Sequence, residues 1–88
     1  MSVRVKIPGI WRGLTNLEAT VECQGETVLE VLLGLTWRYP GMHDRLFTAE
    51  GQPRRFVQVF LNQQPVREFT APVAPGDELM LLIAIAGG

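Results

Sequence analysis

One cysteine, Cys23, stands among 88 residues, so no disulfide can form within the chain. A disulfide framework is the usual support of very small secreted domains, and that class is excluded. Cys23 and the single histidine, His43, cannot make a zinc site of the usual Cys/His type, and no metal site is expected. Ser2 is the only serine and sits at the frayed start of the chain, which argues against a Ser/His/Asp hydrolase. GxGxxG, a Walker loop, HExxH and CxxC are all missing. Net charge is also small. Eight Lys plus Arg face nine Asp plus Glu, a balance of −1, so no basic excess exists to grip nucleic acid or anionic lipid. The longest apolar run, Leu79 to Ala86, falls well short of the ~18 residues that span a bilayer. Met1–Ile7 alternates charged and apolar residues without the continuous apolar core of a signal peptide. A reduced, cytoplasmic setting is expected.

What the chain does have is enough apolar content, 47%, for one globular domain over residues 1–88. At about 0.05–0.15 kcal/mol per residue, its stability is about 4–13 kcal/mol. Val3, Val5 and Ile7 alternate with Arg4 and Lys6, the pattern of a half-buried strand. Pro8-Gly9 ends it, and a loop punctuated by Gly13 and Asn16 follows. Leu17, Ala19, Val21 and Cys23 alternate with polar residues as a second strand, forming a hairpin with the first. Cys23 is then a small core hydrophobe. A short helical turn is expected around His43–Phe47, with His43 on the surface. A third strand covers Arg55–Leu61, and Asn62-Gln63-Gln64 turns into a short edge strand, Pro65–Phe69. Pro75-Gly76-Asp77 reads as a tight turn before a final strand that is apolar on both faces, as a central strand would be.

Thr27 with Glu30 three residues on is a capping box, predicting a helix from there to about Tyr39, stopped by Pro40-Gly41. Val28, Val31, Leu32, Leu35 and Tyr39 share its core face. Leu29, Leu33 and Trp37 make a second apolar stripe, which the following loop is expected to cover, the other reading being a partner contact. Strands around a single helix define an α+β class: a mixed sheet of four to five strands packed on one main helix.

The most specific feature is the end, Ile83-Ala84-Ile85-Ala86-Gly87-Gly88. Two residues without side chains can thread a narrow slot in another protein. A terminal carboxylate titrates near pH 3.3–3.7, roughly, so at neutral pH it is ionised and inert until activated, for example as an acyl-adenylate from ATP. The chain is then a carried substrate and not an enzyme.

The Pro75–Glu78 turn, the apolar last strand and Gly87-Gly88 together resemble the ubiquitin-like sulfur carriers of the MoaD/ThiS group, which share the β-grasp fold. Arg55–Asn62, Val66-Arg67, the opening Val5–Pro8 and the length of Met42–Pro53 resemble the branch feeding cysteine biosynthesis. The resemblance implies that Gly88 is adenylated by an E1-like adenylyltransferase/sulfurtransferase and converted to a thiocarboxylate. Ala86 and Gly87 form the flexible tail. No cofactor is bound by the chain, and ATP is used by the activating partner. The sulfur passes to an accepting synthase, a PLP-dependent cysteine synthase or the large subunit of molybdopterin synthase, with thiamine thiazole a further destination. Two other readings stay open: a ubiquitin-like modifier making isopeptide bonds through Gly88, and a β-grasp interaction module. Lys6, the only lysine, leans against self-chains.

A partner surface follows from alternation. With Val57, Val59 and Leu61 facing the helix, Phe56, Gln58 and Phe60 face outward; with Leu79, Leu81, Ile83 and Ile85 inward, Met80, Leu82 and Ala84 face outward. Phe60, Met80 and Leu82 would form an exposed apolar patch, flanked by Arg55 and Arg67.

Overall fold

The structure is a computed structural model and describes residues 2–83. Strand β1 (Val3–Lys6) pairs antiparallel with β2 (Thr20–Cys23), with Val3 opposite Cys23 and Val5 opposite Val21. Helix α1 (Val28–Arg38) follows, then a 3-10 turn (Pro40–Met42), the short helix α2 (His43–Leu46), β3 (Val57–Leu61), β4 (Gln64–Pro65) and β5 (Glu78–Ile83). The sheet order is β2-β1-β5-β3-β4. β5 runs parallel to β1 and antiparallel to β3, so the last strand is central, as its two apolar faces require.

Alternation decides which side of the sheet is packed. Val3, Val5, Val21, Cys23, Val57, Val59, Leu79 and Leu81 are all buried on one face, beneath Val28, Val31, Leu32 and Leu35 of α1. The capping box forms as expected: the Glu30 amide donates to Thr27 Oγ1 at 3.2 Å and the Glu26 amide donates to Glu30 Oε1 at 2.9 Å. The amides of Val28 and Leu29 donate to the carbonyls of Ala71 and Phe69, so the helix N-terminus has no orphan donors left there. Thr27→Ala is expected to cost about 1 kcal/mol, read as a lower midpoint in urea with unchanged slope.

Several boundaries differ from the sequence expectation. The loop after Pro8 is a 3-10 helix over Gly9–Thr15 that drives Trp11 into the core and buries Thr15. Asn16 and Leu17 then take left-handed φ values of 53° and 66°, which no strand residue can hold, so β2 starts at Thr20 and Leu17 is exposed. β3 starts at Val57, because residues 54–56 turn into it with the Val57 amide bonded to the Arg54 carbonyl. The turn into β4 has two residues, Asn62 and Gln63 at φ 49° and 72°, matching the twist of the flanking strands. That places Gln64 opposite Leu61 and shortens the edge strand to Gln64–Pro65.

Asn62 also ties two turns together. Its Nδ2 donates to Asp77 Oδ1 at 3.0 Å, and its Oδ1 accepts from the Glu78 amide at 3.0 Å. The Ala74 amide donates to the other Asp77 oxygen at 2.8 Å. These bonds, the Ala74 amide first and Asn62 second, hold the Asp77 carboxyl below its ordinary 3.8. A depressed carboxylate stabilises the fold above its unfolded value, and that contribution disappears as pH falls through the lower folded value. Asp77→Asn is therefore expected to flatten the acid limb of a stability–pH curve below about pH 4 and leave the neutral limb unchanged in shape.

Candidate functional site

The face of the sheet away from α1 is split into two halves. Over β1 and β2 it is polar: Arg4, Lys6, Thr20 and Glu22 are exposed, and Lys6 Nζ lies 3.8 Å from Glu78 Oε1. Over β5 and β3 it is apolar. Phe60 stands directly opposite Met80, which neighbours Lys6 on its other side, and Gln58 stands opposite Leu82. Met80 and Phe60 are half-buried, and Leu82 is 41% exposed. Pro65 of β4, opposite Phe60, extends this row to the sheet edge. The register is the one expected from alternation, and it gathers Phe60, Met80 and Leu82 on one surface beside the strand that leads toward the chain end.

Phe56 is exposed just ahead of β3, with the Arg54 guanidinium 6.0 Å from its ring centre. Arg55 is exposed next to it. Arg67 does not join the patch. It lines a hollow of about 590 Å³ with Leu29 of α1, Pro53 and Phe69, on the helix side of the sheet. The Val66 amide still donates to the Val59 carbonyl at 2.9 Å, and the chain then crosses to α1, where the Phe69 and Ala71 carbonyls accept from Leu29 and Val28. Ala84, Ala86, Gly87 and Gly88 lie outside the described residues.

Cys23 is buried in the core face of β2, and burial raises its thiol above the ordinary 9.0 despite the opposing charge of Arg38. It is a packing residue, as expected from its alternation. His43 lies on the surface with its Nδ1 3.5 Å from Asp44 Oδ1. Among the described residues no three of His, Cys, Asp and Glu cluster as metal ligands, and no helix is long and apolar enough to cross a membrane.

Trp37 is where the sequence expectation fails. The loop covers only the first residue of the second helix stripe. Leu29 packs against the core, but Leu33 is 40% exposed and Trp37 86% exposed. The loop closes on itself instead, through the Thr48 amide to the Gln52 carbonyl and a bridge between Phe47 and Pro53, and ends over Leu29.

A five-stranded mixed sheet grasping one main helix, with a central last strand, is the ubiquitin-like β-grasp class. The ThiS family model matches residues 5–88. The Mycobacterium tuberculosis sulfur carrier protein CysO is 34% identical over 93 residues, covering all of both chains. In the crystal structure of the Amycolatopsis orientalis BexX/CysO complex, one chain superposes with a TM-score of 0.88 at 40% identity, over 98% of this chain and 99% of that one. SAMP1 from Haloferax volcanii shares the fold, with a TM-score of 0.88 at 24% identity and full coverage of both chains. The chain belongs to the ThiS family.

Proposed function

We propose that this chain is a protein sulfur carrier whose reactive group is the Gly88 carboxylate. The observation that carries the reading is the family match, which runs through Gly88, together with full-length identity to a named sulfur carrier. In the proposed chemistry the carboxylate attacks the α-phosphorus of ATP and pyrophosphate leaves. Sulfide then adds to the acyl carbon and displaces AMP, leaving a thiocarboxylate. A carboxylate is a poor acyl donor and an acyl-adenylate a good one, so activation has to precede sulfur transfer. The adenylating and sulfur-accepting enzymes supply the catalytic groups, and this chain supplies none. ATP is consumed by the activating enzyme, and the chain holds no cofactor of its own. The CysO relatives favour cysteine biosynthesis as the destination of the sulfur. The acceptor proposed is a PLP-dependent cysteine synthase. The compartment proposed is the cytoplasm.

Ala86 and Gly87 are proposed as the tail that enters the partner's slot, since residues with little or no side chain pass where others do not. Phe60, Met80, Leu82 and Ala84, with Phe56 and Arg55 beside them, are proposed as the docking surface; Arg67 is assigned to its own hollow instead. An apolar sheet face next to the strand carrying the tail lets docking energy position the reactive end.

The test is intact mass after incubation with ATP, a cognate adenylating enzyme and sulfide. Exchange of one carboxyl oxygen for sulfur adds about 16 Da, and deletion of Gly88 is expected to remove the gain. Isopeptide-linked Gly-Gly remnants on other proteins, with no mass gain, would replace the carrier reading with that of a modifier. Neither product, with an enzyme active on another carrier, would leave an interaction module.

A further inference from the structure

The two edges of the sheet differ in what they offer. At one, β4 is two residues long and ends in Pro65, which has no N–H to give. At the other stands β2, whose register with β1 decides which of its main-chain groups are used. The Ile7 amide donates to the Ala19 carbonyl at 2.8 Å, and the Arg4 amide donates away from β2, to the Asp77 carbonyl at 3.0 Å. Main-chain groups alternate in direction along a strand. Val21 and Cys23 therefore bond to β1, opposite Val5 and Val3, while Thr20 and Glu22 turn theirs outward. Among the described residues one of these outward groups has a partner: the Glu22 carbonyl accepts from Arg38 Nη1 at 2.9 Å. The Thr20 amide, the Thr20 carbonyl and the Glu22 amide are left at the edge. A hollow of about 240 Å³ lies there, lined by Glu18, Thr20, Glu22 and, from the end of α1, Arg38 and Tyr39.

An unpaired edge of this kind is a template for one more strand. Charge selects the strand. Thr20 and Glu22 are exposed on the sheet face away from α1. Across that face one row of directly opposed residues alternates in sign, from Glu78 on β5 to Arg4 on β1 to Glu22 on β2. A cation is the complement of the row's outer end. Glu18 adds a second carboxylate to the hollow, and the cation that lines it, Arg38, is held on the Glu22 carbonyl. One oxygen of the Glu22 carboxylate accepts from the Ser2 hydroxyl, and the other faces no protein donor among the described residues.

We propose that β2 takes up an extended segment of a partner protein as a further strand, with Lys or Arg at the alternate positions that neighbour Glu18, Thr20 and Glu22. The segment exchanges main-chain bonds with Thr20 and with the Glu22 amide, and Arg38 on the Glu22 carbonyl marks the end of the added strand. A second copy of this chain is the poorer occupant, because β2 reads Thr-Val-Glu-Cys and offers its own carboxylate no cation. The proposal is independent of Gly88 and of the carrier reading, and β1 separates this edge from the surface of Phe60, Met80 and Leu82.

The probe is a short synthetic peptide alternating Lys with Val, titrated into the full chain and followed by amide hydrogen exchange. The expected result is a saturable slowing, by about tenfold or more, at the Thr20 and Glu22 amides, while those of Val21 and Cys23, already bonded to β1, change little. The same peptide N-methylated at every amide keeps its charges, has no main-chain donor and should not bind. Thr20→Pro deletes one outward N–H at a position where β1 needs none, and should weaken binding as read at the Glu22 amide. Circular dichroism checks that this variant folds, and the N-methylated peptide tests the same bonds without altering the chain. Glu18→Gln with Glu22→Gln should weaken binding by roughly three- to tenfold at low salt. The proposal is overturned by absence of saturable slowing at Thr20 and Glu22, by equal binding of the N-methylated peptide, or by equal binding of a Glu-for-Lys version. Slowing of the same amides by raised protein concentration alone would give the edge to a second copy and overturn it equally.

Discussion

Adding a single alanine after Gly88 is expected to reduce thiocarboxylate formation to background while leaving the fold and enzyme docking intact. One extra residue moves the terminal carboxylate by about 3.5 Å and puts a Cβ where a glycine would sit. A misplacement of about 1 Å at reacting atoms already costs on the order of 100-fold, so a shift of this size is prohibitive. The measurement is intact mass with the adenylating enzyme, paired with an affinity measurement on the same variant. Loss of the mass gain with retained affinity separates the reactive end from the docking surface. A full mass gain would mean that Gly88 is not the activated residue. Thermal stability of the variant should match that of the parent chain.

The second large effect is on the fold itself. Leu79 is fully buried in the central strand, opposite Val5 of β1 on one side and Leu61 of β3 on the other. Leu79→Ala is expected to cost about 2–5 kcal/mol, because strands fixed on both flanks cannot close over the vacated volume. Against a total of about 4–13 kcal/mol this is a large share of the whole, and at the lower end it unfolds the chain. Leu82→Ala, three residues on in the same strand but on its opposite face and 41% exposed, should cost well under half as much. Urea denaturation of the two variants provides the comparison; equal midpoints would contradict the assignment of faces.

The elements most legible in the sequence were those in which local preference and burial agree. Val3, Val5 and Ile7 alternate and are all buried. Thr27 and Glu30 formed the predicted cap, and helix α1 ran from Val28 to Arg38 against an expected end near Tyr39. The outward set Phe60, Met80 and Leu82 also followed from period two alone, once the faces of β3 and β5 were fixed. Leu17 was misread because its place in the alternation looks right, while its backbone is left-handed, a property that no side-chain pattern encodes. The start of β4 depended on whether the preceding turn held two residues or three, which Asn62 and Gln63 decide through their dihedral angles. Trp37 was misjudged for a third reason. Whether a distant loop covers a helix stripe depends on the loop's own closure, here the Phe47–Pro53 bridge. Arg67 is similar, since its position depends on how the chain crosses from Val66 to the N-terminus of α1.

The sheet order bears on how the molecule is made. β1 is synthesised before the other strands of the sheet, yet its parallel neighbour is β5, the last of the five, with Arg4 opposite Glu78. Until residues 78–83 have been synthesised, β1 and β3 have no strand between them, and the apolar face of α1 has only half a sheet to pack against. Folding by such distant pairing is slow, and its completion waits on synthesis of β5. A chain released before β5 is complete would expose strand edges and core leucines, marking it for aggregation or degradation. The topology thus couples the presence of a packed domain to synthesis of its fifth strand.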